Sequence, residues 1–144
     1  MDTLIIRNYL PSDKKEVKAL WEACGLLVPW NNPFADIERK YQDSAALFFV
    51  GEVDNVLIAT CMAGYDGHRG WIYYLAVKEE YRQQGHATTI MHHAENALRK
   101  IGCPKINLMV RETNDSVVSF YKSIGYNTAP VIMLSKRLSK DEPY

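Results

Sequence analysis

One amphipathic stretch near the middle of the chain constrains the fold more than any other feature. Residues Gln84 to Ile101 predict a long helix, because one face carries apolar side chains at helical spacing and Gly102 follows as a stop. That face is formed by Ala87, Ile90, Met91, Ala94, Leu98 and Ile101. A β-rich stretch lies on each side of the helix, Trp71–Val77 before it and Lys105–Val110 after it. This order predicts a right-handed β-α-β crossover with the two strands parallel.

The remaining patterns predict an antiparallel meander before the crossover and further helices around it. Asp54-Asn55 suits a tight hairpin turn inside the meander. The other predicted strands are Thr3–Tyr9, Ala46–Val53, Val56–Tyr65 and Val131–Leu138. The other predicted helices run from Ser12 or Asp13 to Gly25, from Pro33 to about Tyr41, and from Asn114 or Asp115 to Gly125. The order β-α-α-β-β-β-α-β-α-β, without repeats or linkers, predicts a single α/β (α+β) domain over residues 1–144 with a mixed sheet.

Charge and cysteine usage narrow the class of protein. Lys+Arg and Asp+Glu are balanced at 17 each, which disfavours nucleic-acid binding driven by bulk charge. The three cysteines, Cys24, Cys61 and Cys103, form no disulfide or metal-binding pattern. Residues 1–15 lack a signal-peptide core, and the apolar stretch Ala45–Val50 is too short to span a bilayer. We therefore expect a cytoplasmic protein with no nucleic-acid or membrane partner. No metal is expected either, because the adjacent His92 and His93 diverge by about 100° on a helix.

The first candidate site joins the strand Trp71–Val77 to the long helix. Leu75-Ala76-Val77 ends the strand, and Tyr81-Arg82-Gln83-Gln84-Gly85-His86-Ala87-Thr88 leads into the helix. A helix N-terminus presents unpaired N–H groups and a positive dipole end, which favour phosphate. Gly85 and Ala87 are small enough for close backbone approach, and Arg82 adds a positive charge. The alternative is an ordinary strand-to-helix turn, because Arg-x-x-Gly-x-Ala alone is a weak signal.

The second candidate stretch begins at Asn114 and includes Phe120-Tyr121-Lys122-Ser123-Ile124-Gly125-Tyr126. Tyr121 lies on the apolar stripe of its predicted helix, which is also typical of a packed core aromatic with its hydroxyl at the rim. Asn114 is equally suited to capping that helix. The order and separation of the two stretches make the combination more specific than either one.

With these residues, the sequence resembles the GNAT superfamily of acyl-CoA-dependent N-acetyltransferases over nearly the whole chain, most strongly from Trp71 to Tyr126. The resemblance implies about six to seven strands and four helices, with two parallel strands splayed apart to form a cleft for acetyl-CoA. It implies that the loop amides hold the diphosphate and that the strand end pairs with the pantetheine arm. The residues that it assigns to the cofactor are Leu75, Ala76, Val77, Arg82, Gln83, Gln84, Gly85, His86, Ala87, Thr88 and Asn114.

The resemblance also implies direct transfer of the acetyl group to a primary amine in a ternary complex. Tyr121 would be the acid that protonates the departing thiolate, and a backbone N–H near Val77 is our candidate donor to the oxyanion. The general base is left open among Asp66, His68, Glu52, Glu112 and water, since neither parallel strand contains a carboxylate.

The acceptor is also left open between a protein N-terminus, a lysine and a small-molecule amine. The loop from Leu26 to Pro33 corresponds to the acceptor side in the family, where Trp30 and Asn31 would form an apolar wall and a polar anchor. The favoured alternative is a connector with Trp30 packed in the core. Two rival functions are a non-catalytic acyl-CoA-binding regulatory module and a purely structural domain. A homodimer stays open, because the C-terminal strand carries no edge-specific signal.

Overall fold

The computed structural model describes residues 3–144, which contain five β-strands and four α-helices. The elements in chain order are β1 (Ile5–Asn8), α1 (Lys14–Ala23), α2 (Pro33–Ser44), β2 (Phe48–Val53), β3 (Val56–Tyr65), β4 (Gly70–Val77), α3 (His86–Lys100), β5 (Ile106–Leu108) and α4 (Asp115–Ser123). Short 3-10 helices occupy Pro11–Asp13, Ala45–Leu47 and Glu79–Tyr81. The chain divides into two units, one of residues 3–108 with Asp141–Tyr144 and one of Met109–Lys140.

The five strands of the first unit form one mixed sheet in the order β1-β2-β3-β4-β5. The first three pairings are antiparallel, and β4 pairs with β5 in parallel. The predicted β-α-β crossover around α3 is thus confirmed. The predicted hairpin turn is also present, because Asp54 (φ 49°) and Asn55 (φ 64°) both adopt the left-handed conformation that such a turn requires.

Each face of the sheet is covered by helices. Phe48 belongs to a core cluster with Val17 and Trp21 of α1 and Ile37 of α2. The next residue, Phe49, instead meets the ring of His93 on α3 edge to face, with centroids 4.8 Å apart. Because successive side chains of a strand point to opposite faces, α1 and α2 cover one face and α3 covers the other.

The sheet has fewer strands than predicted: five occur in residues 3–144, not six or seven. Val131–Leu138 forms no strand, and β5 contains only three of the six residues predicted for it. A strand forms only when a neighbour supplies hydrogen bonds, and β5 is the last strand in the sheet order. Among the described residues, α4 is the one α-helix of the second unit.

One helix starts later than predicted, and another starts where predicted but without a hydrogen bond from its cap residue. Helix α3 begins at His86 rather than Gln84, because Gly85 (φ 82°) is left-handed and cannot be helical. Helix α1 begins at Lys14 with Asp13 as its N-cap residue, as predicted, but the Asp13 carboxylate makes no cap hydrogen bond to α1. It instead accepts from the Leu10 N–H, at the start of the preceding 3-10 helix, and from Arg7. Within residues 3–144, no α-helix is both long and apolar enough to cross a membrane.

Candidate functional site

The parallel strands β4 and β5 separate after three residue pairs, which leaves one edge of β4 open. Gly70, Trp71 and Ile72 pair with β5, while β4 continues beside β3 as far as Val77. Residues 73–77 therefore have a strand neighbour on the β3 side only. Buried backbone N–H and C=O groups require partners. The open edge, which includes Leu75, Ala76 and Val77, is thus suited to an extended ligand that adds like a strand.

A bulge at Tyr74 accompanies this separation. Met62 and Thr60 of β3 pair with Tyr73 and Ala76, so two residue steps on β3 match three on β4. Tyr74 takes up the extra residue with φ 52°, an unusual conformation for an aromatic residue. The strained conformation lies directly before the open edge.

A chain of hydrogen bonds that begins at the buried Trp21 and Thr60 holds the bulge in place. The Trp21 indole N–H donates to Thr60 Oγ1 (2.9 Å), and Thr60 Oγ1 donates to the Tyr74 carbonyl (2.8 Å). The Tyr74 ring stacks on Trp21 with centroids 3.7 Å apart, and its hydroxyl donates to Asp36 (2.7 Å). Burial and the Asp36 hydrogen bond raise the pKa of Tyr74, which keeps the phenol protonated. Sequence analysis did not identify this network, because side chains from α1, α2 and β3 contribute to it.

The loop after β4 leads to a helix end without a side-chain cap. Gly85 is the N-cap of α3, no side chain caps it, and Thr89 makes the first backbone bond back to the Gly85 carbonyl (3.0 Å). The amides of the first turn therefore have no partner within the helix. There is open space where a side chain at Gly85 would begin. Uncapped amides, the positive helix end and free space together favour an anion such as a phosphate.

His86 adds a second sign that the N-terminus of α3 is adapted to a ligand. The residue is buried, yet its Nε2 atom has no hydrogen-bond partner among the described residues. A buried polar atom without a partner costs about 1–3 kcal/mol. Of the neighbouring residues, Gln83 is exposed with φ 60°, and Gln84, Ala87 and Thr88 are half-buried.

Arg82 is bound to the end of β4. Its Nε donates to the Val77 carbonyl (2.9 Å), and a terminal nitrogen lies 3.4 Å from Cys24 Sγ. The residue as a whole is exposed. In this position Arg82 fixes the loop to the strand end and keeps a positive charge beside the N-terminus of α3.

Asn114 and Tyr121 lie in the second unit, on the same helix. Asn114 is the N-cap of α4, and its Oδ1 accepts from Ser116 Oγ (3.3 Å). Tyr121 is buried, with Phe120 and Tyr126 edge to face at centroid distances of 5.2 and 5.7 Å. Residues 75–88 thus belong to the first unit, whereas Asn114 and Tyr121 belong to the second.

Two of the candidate bases have structural partners. Glu52 accepts from Arg7 (2.5 Å), which also binds Asp13. Asp66 accepts from the amides of His68 and Arg69 (2.8 Å each) and lies in an exposed turn. These amides lower the pKa of Asp66, which makes it a weaker base.

The other two candidates, His68 and Glu112, are exposed, the former in the hairpin turn of the first unit and the latter in the second unit. Neither carries a contact that assigns it to proton transfer. No group of three or more possible metal ligands occurs within residues 3–144.

The loop between α1 and α2 is tied down by the end of the chain. The Asp141 carboxylate accepts from the Asn32 N–H (2.9 Å) and pairs with Arg39, and the Tyr144 hydroxyl donates to the Val28 carbonyl (3.3 Å). Trp30 is 58% exposed, so the expectation that it packs in the core was wrong. The loop is therefore held in place while an aromatic side chain stays accessible.

Comparisons with known proteins show what this chain is similar to. The model of the "Acetyltransferase (GNAT) family" matches residues 15–126. A relative from Yersinia pestis (strain Pestoides F), named acetyltransferase, is 48% identical over 139 residues, 96% of this chain and 99% of its own. Ard1 from Thermoplasma volcanium superposes with a TM-score of 0.78 at 24% identity, over 88% of this chain and 84% of Ard1. The aminoglycoside N-acetyltransferase AAC(6')-Iy, solved with CoA, gives 0.77 at 15% identity, over 96% and 97%.

Proposed function

The chain belongs to the acetyltransferase (GNAT) family, and we propose that it moves an acetyl group from acetyl-CoA to a primary amine by direct attack in a ternary complex. The observation that carries the proposal is that two structural features follow one another along the chain in the first unit. The open edge of β4 ends at Val77, and the uncapped N-terminus of α3 follows after one short loop. We also propose that residues 1–144 work as one N-acetyltransferase domain.

The residues of this region fit acetyl-CoA as the donor. An extended pantetheine arm needs amide partners, which the edge at Leu75, Ala76 and Val77 offers, except for the Val77 carbonyl, which already accepts from Arg82. A diphosphate needs several N–H donors, which the first turn of α3 offers, and the unpartnered Nε2 of His86 adds a further polar group. The related enzyme AAC(6')-Iy has been solved with CoA, which supports the same donor for this chain.

Acetyl transfer poses three tasks for the residues of this chain. An ammonium has no lone pair, so the acceptor must lose a proton before it attacks. An N–H near Val77 is the proposed donor to the oxyanion, and Tyr121 is the proposed acid for the thiolate. Asp66 and Glu52 are engaged elsewhere, so His68, Glu112 and water are the remaining proposed acceptors of the amine proton.

We propose a cationic amine as the acceptor class, which covers a protein N-terminus, a lysine or a small-molecule amine. Asp36, the partner of the Tyr74 hydroxyl, is a carboxylate on α2 that is linked to the strand carrying the open edge. The exposed Trp30 offers an apolar surface beside the same helix. The proposal extends to a homodimer, and to a cytoplasmic location, since Cys24, Cys61 and Cys103 are all free thiols.

The experiment is to incubate the purified full chain with acetyl-CoA and a panel of N-terminal peptides, lysine peptides, polyamines and aminoglycosides. Thiol release and product mass are recorded for each. Acceptor-dependent release with a mass gain of one acetyl group supports the proposal and identifies the acceptor. Tight CoA binding without release across the whole panel contradicts the catalytic proposal, and absence of CoA binding contradicts the donor site as well.

A further inference from the structure

The proposed donor site determines where the amine acceptor has to arrive. The open edge runs from the bulge at Tyr74 to Val77, and the N-terminus of α3 follows after a short loop. A diphosphate held at that helix end directs the rest of acetyl-CoA back along the edge. The step from Val77 to Tyr74 spans about 10 Å at roughly 3.3 Å per residue, so the acceptor meets the donor close to the bulge.

Both tyrosines at the bulge point toward the face of the sheet that α1 and α2 cover. Tyr73 pairs with Met62, a member of the core cluster on that face, and the Tyr74 ring stacks on Trp21. Tyr73 is 44% exposed, so this face is open to solvent directly at the bulge. Because α3 covers the other face, the amine approaches past the first turn of α2, where Asp36 accepts from the Tyr74 hydroxyl.

Residues 141–144 of the first unit, here called the strap, hold the start of α2. The Asp141 carboxylate accepts from the Asn32 N–H (2.9 Å), and the Glu142 carbonyl accepts from Asn32 Nδ2 (3.0 Å). Asn32 Oδ1 in turn accepts from two amides of the first turn of α2 (3.0 and 3.2 Å). Asn32 therefore joins the strap to the helix that carries Asp36.

The exposed aromatic side chain of the loop before α2 lies between two residues that the strap anchors. Asn32 is one of them, and the other is Val28, whose carbonyl accepts from the Tyr144 hydroxyl (3.3 Å). Trp30 lies between them in the chain and is nevertheless 58% exposed. A large aromatic ring on an anchored loop is suited to ligand contact, because little further ordering is needed when the ligand binds.

Asp141 is also connected to the bulge. Its side chain, only 5% exposed, pairs with Arg39, and Arg39 binds Asp36 (2.9 Å). Burial and the Asp36 hydrogen bond raise the pKa of Tyr74, and the negative charge of Asp141 raises it further. Asp141 is thus in contact with the loop that carries Trp30 and is within electrostatic reach of the bulge.

We propose that Asp141 is a positioning residue for the amine acceptor, which it orients indirectly by holding Trp30 and Asp36 on the side from which the amine reaches the bulge. This role rests on the proposed acetyl transfer and extends it to the acceptor side of the same site. A loop that is fixed before binding reduces the ordering entropy that the acceptor must overcome. Loss of the strap contacts should therefore weaken acceptor binding and leave the donor site at residues 75–88 unchanged.

Steady-state kinetics with acetyl-CoA tests this role with four amines: spermidine, kanamycin, a peptide with a free N-terminus and an N-blocked lysine peptide. For the amine with the highest thiol release, Asp141→Ala should raise the acceptor KM about tenfold, the equivalent of one hydrogen bond to a charged group. The kcat and the acetyl-CoA KM should stay unchanged. Asp141→Glu keeps the charge and should recover part of the loss. Glu142→Ala, the matched control, removes the neighbouring carboxylate but keeps the carbonyl contact, and it should behave as wild type.

Two further variants separate positioning from a loss of folding. Tyr144→Phe removes only an exposed hydroxyl and should raise the acceptor KM about two- to tenfold, the equivalent of one neutral hydrogen bond. Trp30→Ala removes the side chain that the anchored loop presents. Adding Asp141→Ala to Trp30→Ala should therefore raise the acceptor KM by a smaller factor than the same change does in the wild type.

Binding is also measured without turnover, with CoA in place of acetyl-CoA. In calorimetry, Asp141→Ala should raise the acceptor Kd by the same factor as the KM and leave the CoA Kd unchanged. Thermal melting followed by circular dichroism checks that each variant is folded; if Asp141→Ala is not, an unchanged acceptor KM in Tyr144→Phe overturns the role.

Three other results overturn the positioning role and leave acetyl transfer intact. They are an acceptor KM within about twofold of wild type in folded Asp141→Ala, an equal rise in the acetyl-CoA KM, and full additivity with Trp30→Ala. Absence of amine-dependent thiol release with all four amines contradicts the proposed acetyl transfer itself, and with it the role of Asp141. The two failures are thus distinguishable.

Discussion

The buried hydroxyl of Thr60 offers the sharpest test of how the open strand edge is built. Thr60→Val keeps the shape of the side chain but removes a group that accepts from the Trp21 indole and donates to the Tyr74 carbonyl. Both Thr60 and Trp21 are fully buried, so water cannot replace the hydroxyl. The substitution therefore changes hydrogen bonding with little change in packing.

The expected cost follows from these two bonds. A buried indole N–H left without a partner costs about 1–3 kcal/mol, and loss of the bond to the Tyr74 carbonyl adds about 0.5–1.5 kcal/mol. The free energy of unfolding should fall by roughly 1.5–4.5 kcal/mol in total. For a chain of this length, that lowers Tm by about 3–18 °C.

The assay is denaturant unfolding of the wild type, Thr60→Val, Thr60→Ser and Trp21→Phe. Thr60→Ser retains the hydroxyl and should recover most of the loss. The double variant Thr60→Val/Trp21→Phe should be more stable than the sum of the single changes implies, because no indole N–H is left unpaired. A Thr60→Val protein within about 0.5 kcal/mol of wild type, the range of neutral substitutions, would refute the network.

Four further predictions concern acetyl-CoA binding, catalysis, the pH dependence of stability and the mobility of the loop between α1 and α2. Arg82→Glu should weaken acetyl-CoA binding in calorimetry, whereas Arg82→Gln should weaken it less. An unchanged affinity for Arg82→Glu would show that the diphosphate does not bind at this loop. Tyr121→Phe should lower turnover roughly 10²–10⁴-fold with the acetyl-CoA affinity kept, and turnover within a few-fold of wild type would exclude it as the acid. The hydrogen bond from the Arg7 guanidinium holds the pKa of Asp13 below its usual value. The ionised Asp13 therefore stabilises the folded protein above about pH 4, and this stabilisation is lost as the pH falls toward the folded-state pKa. Asp13→Asn should therefore be less stable than wild type at neutral pH, with a gap that narrows in acid unfolding curves; a constant gap would contradict this. Asp141→Asn should speed hydrogen exchange in residues 26–32 and leave α3 unchanged, and equal exchange would show that the end of the chain does not order that loop.

Local patterns were sufficient to predict much of the fold. The stripe from Ala87 to Leu98 predicts α3, and the positive φ values at Asp54 and Asn55 match the turn that their residue types favour. Asn32 caps α2, which begins at Pro33 as predicted, because the determinants of a helix start lie within a few residues. These elements depend on neighbours in sequence.

The features that sequence analysis predicted wrongly or did not predict depend on distant partners. Val131–Leu138 has the composition of a strand but no neighbouring strand within the described chain. The left-handed Tyr74 is held by Trp21, Thr60 and Asp36, which lie on three other elements. The exposure of Trp30 likewise depends on the loop that the end of the chain holds. No local rule assigns these conformations.

Two different features separate β4 from β5, and each one predicts a different effect of Thr60→Val on acetyl-CoA binding. The bulge at Tyr74 redirects residues 75–77, while β5 simply ends at Leu108. If the bulge positions the edge, Thr60→Val should weaken acetyl-CoA binding as well as stability, and Thr60→Ser should restore both. If the early end of β5 is sufficient, Thr60→Val should lower stability alone. Because Thr60 lies on β3, away from the open side of β4, a loss of affinity in Thr60→Val would show that the bulge aligns the backbone that binds the donor.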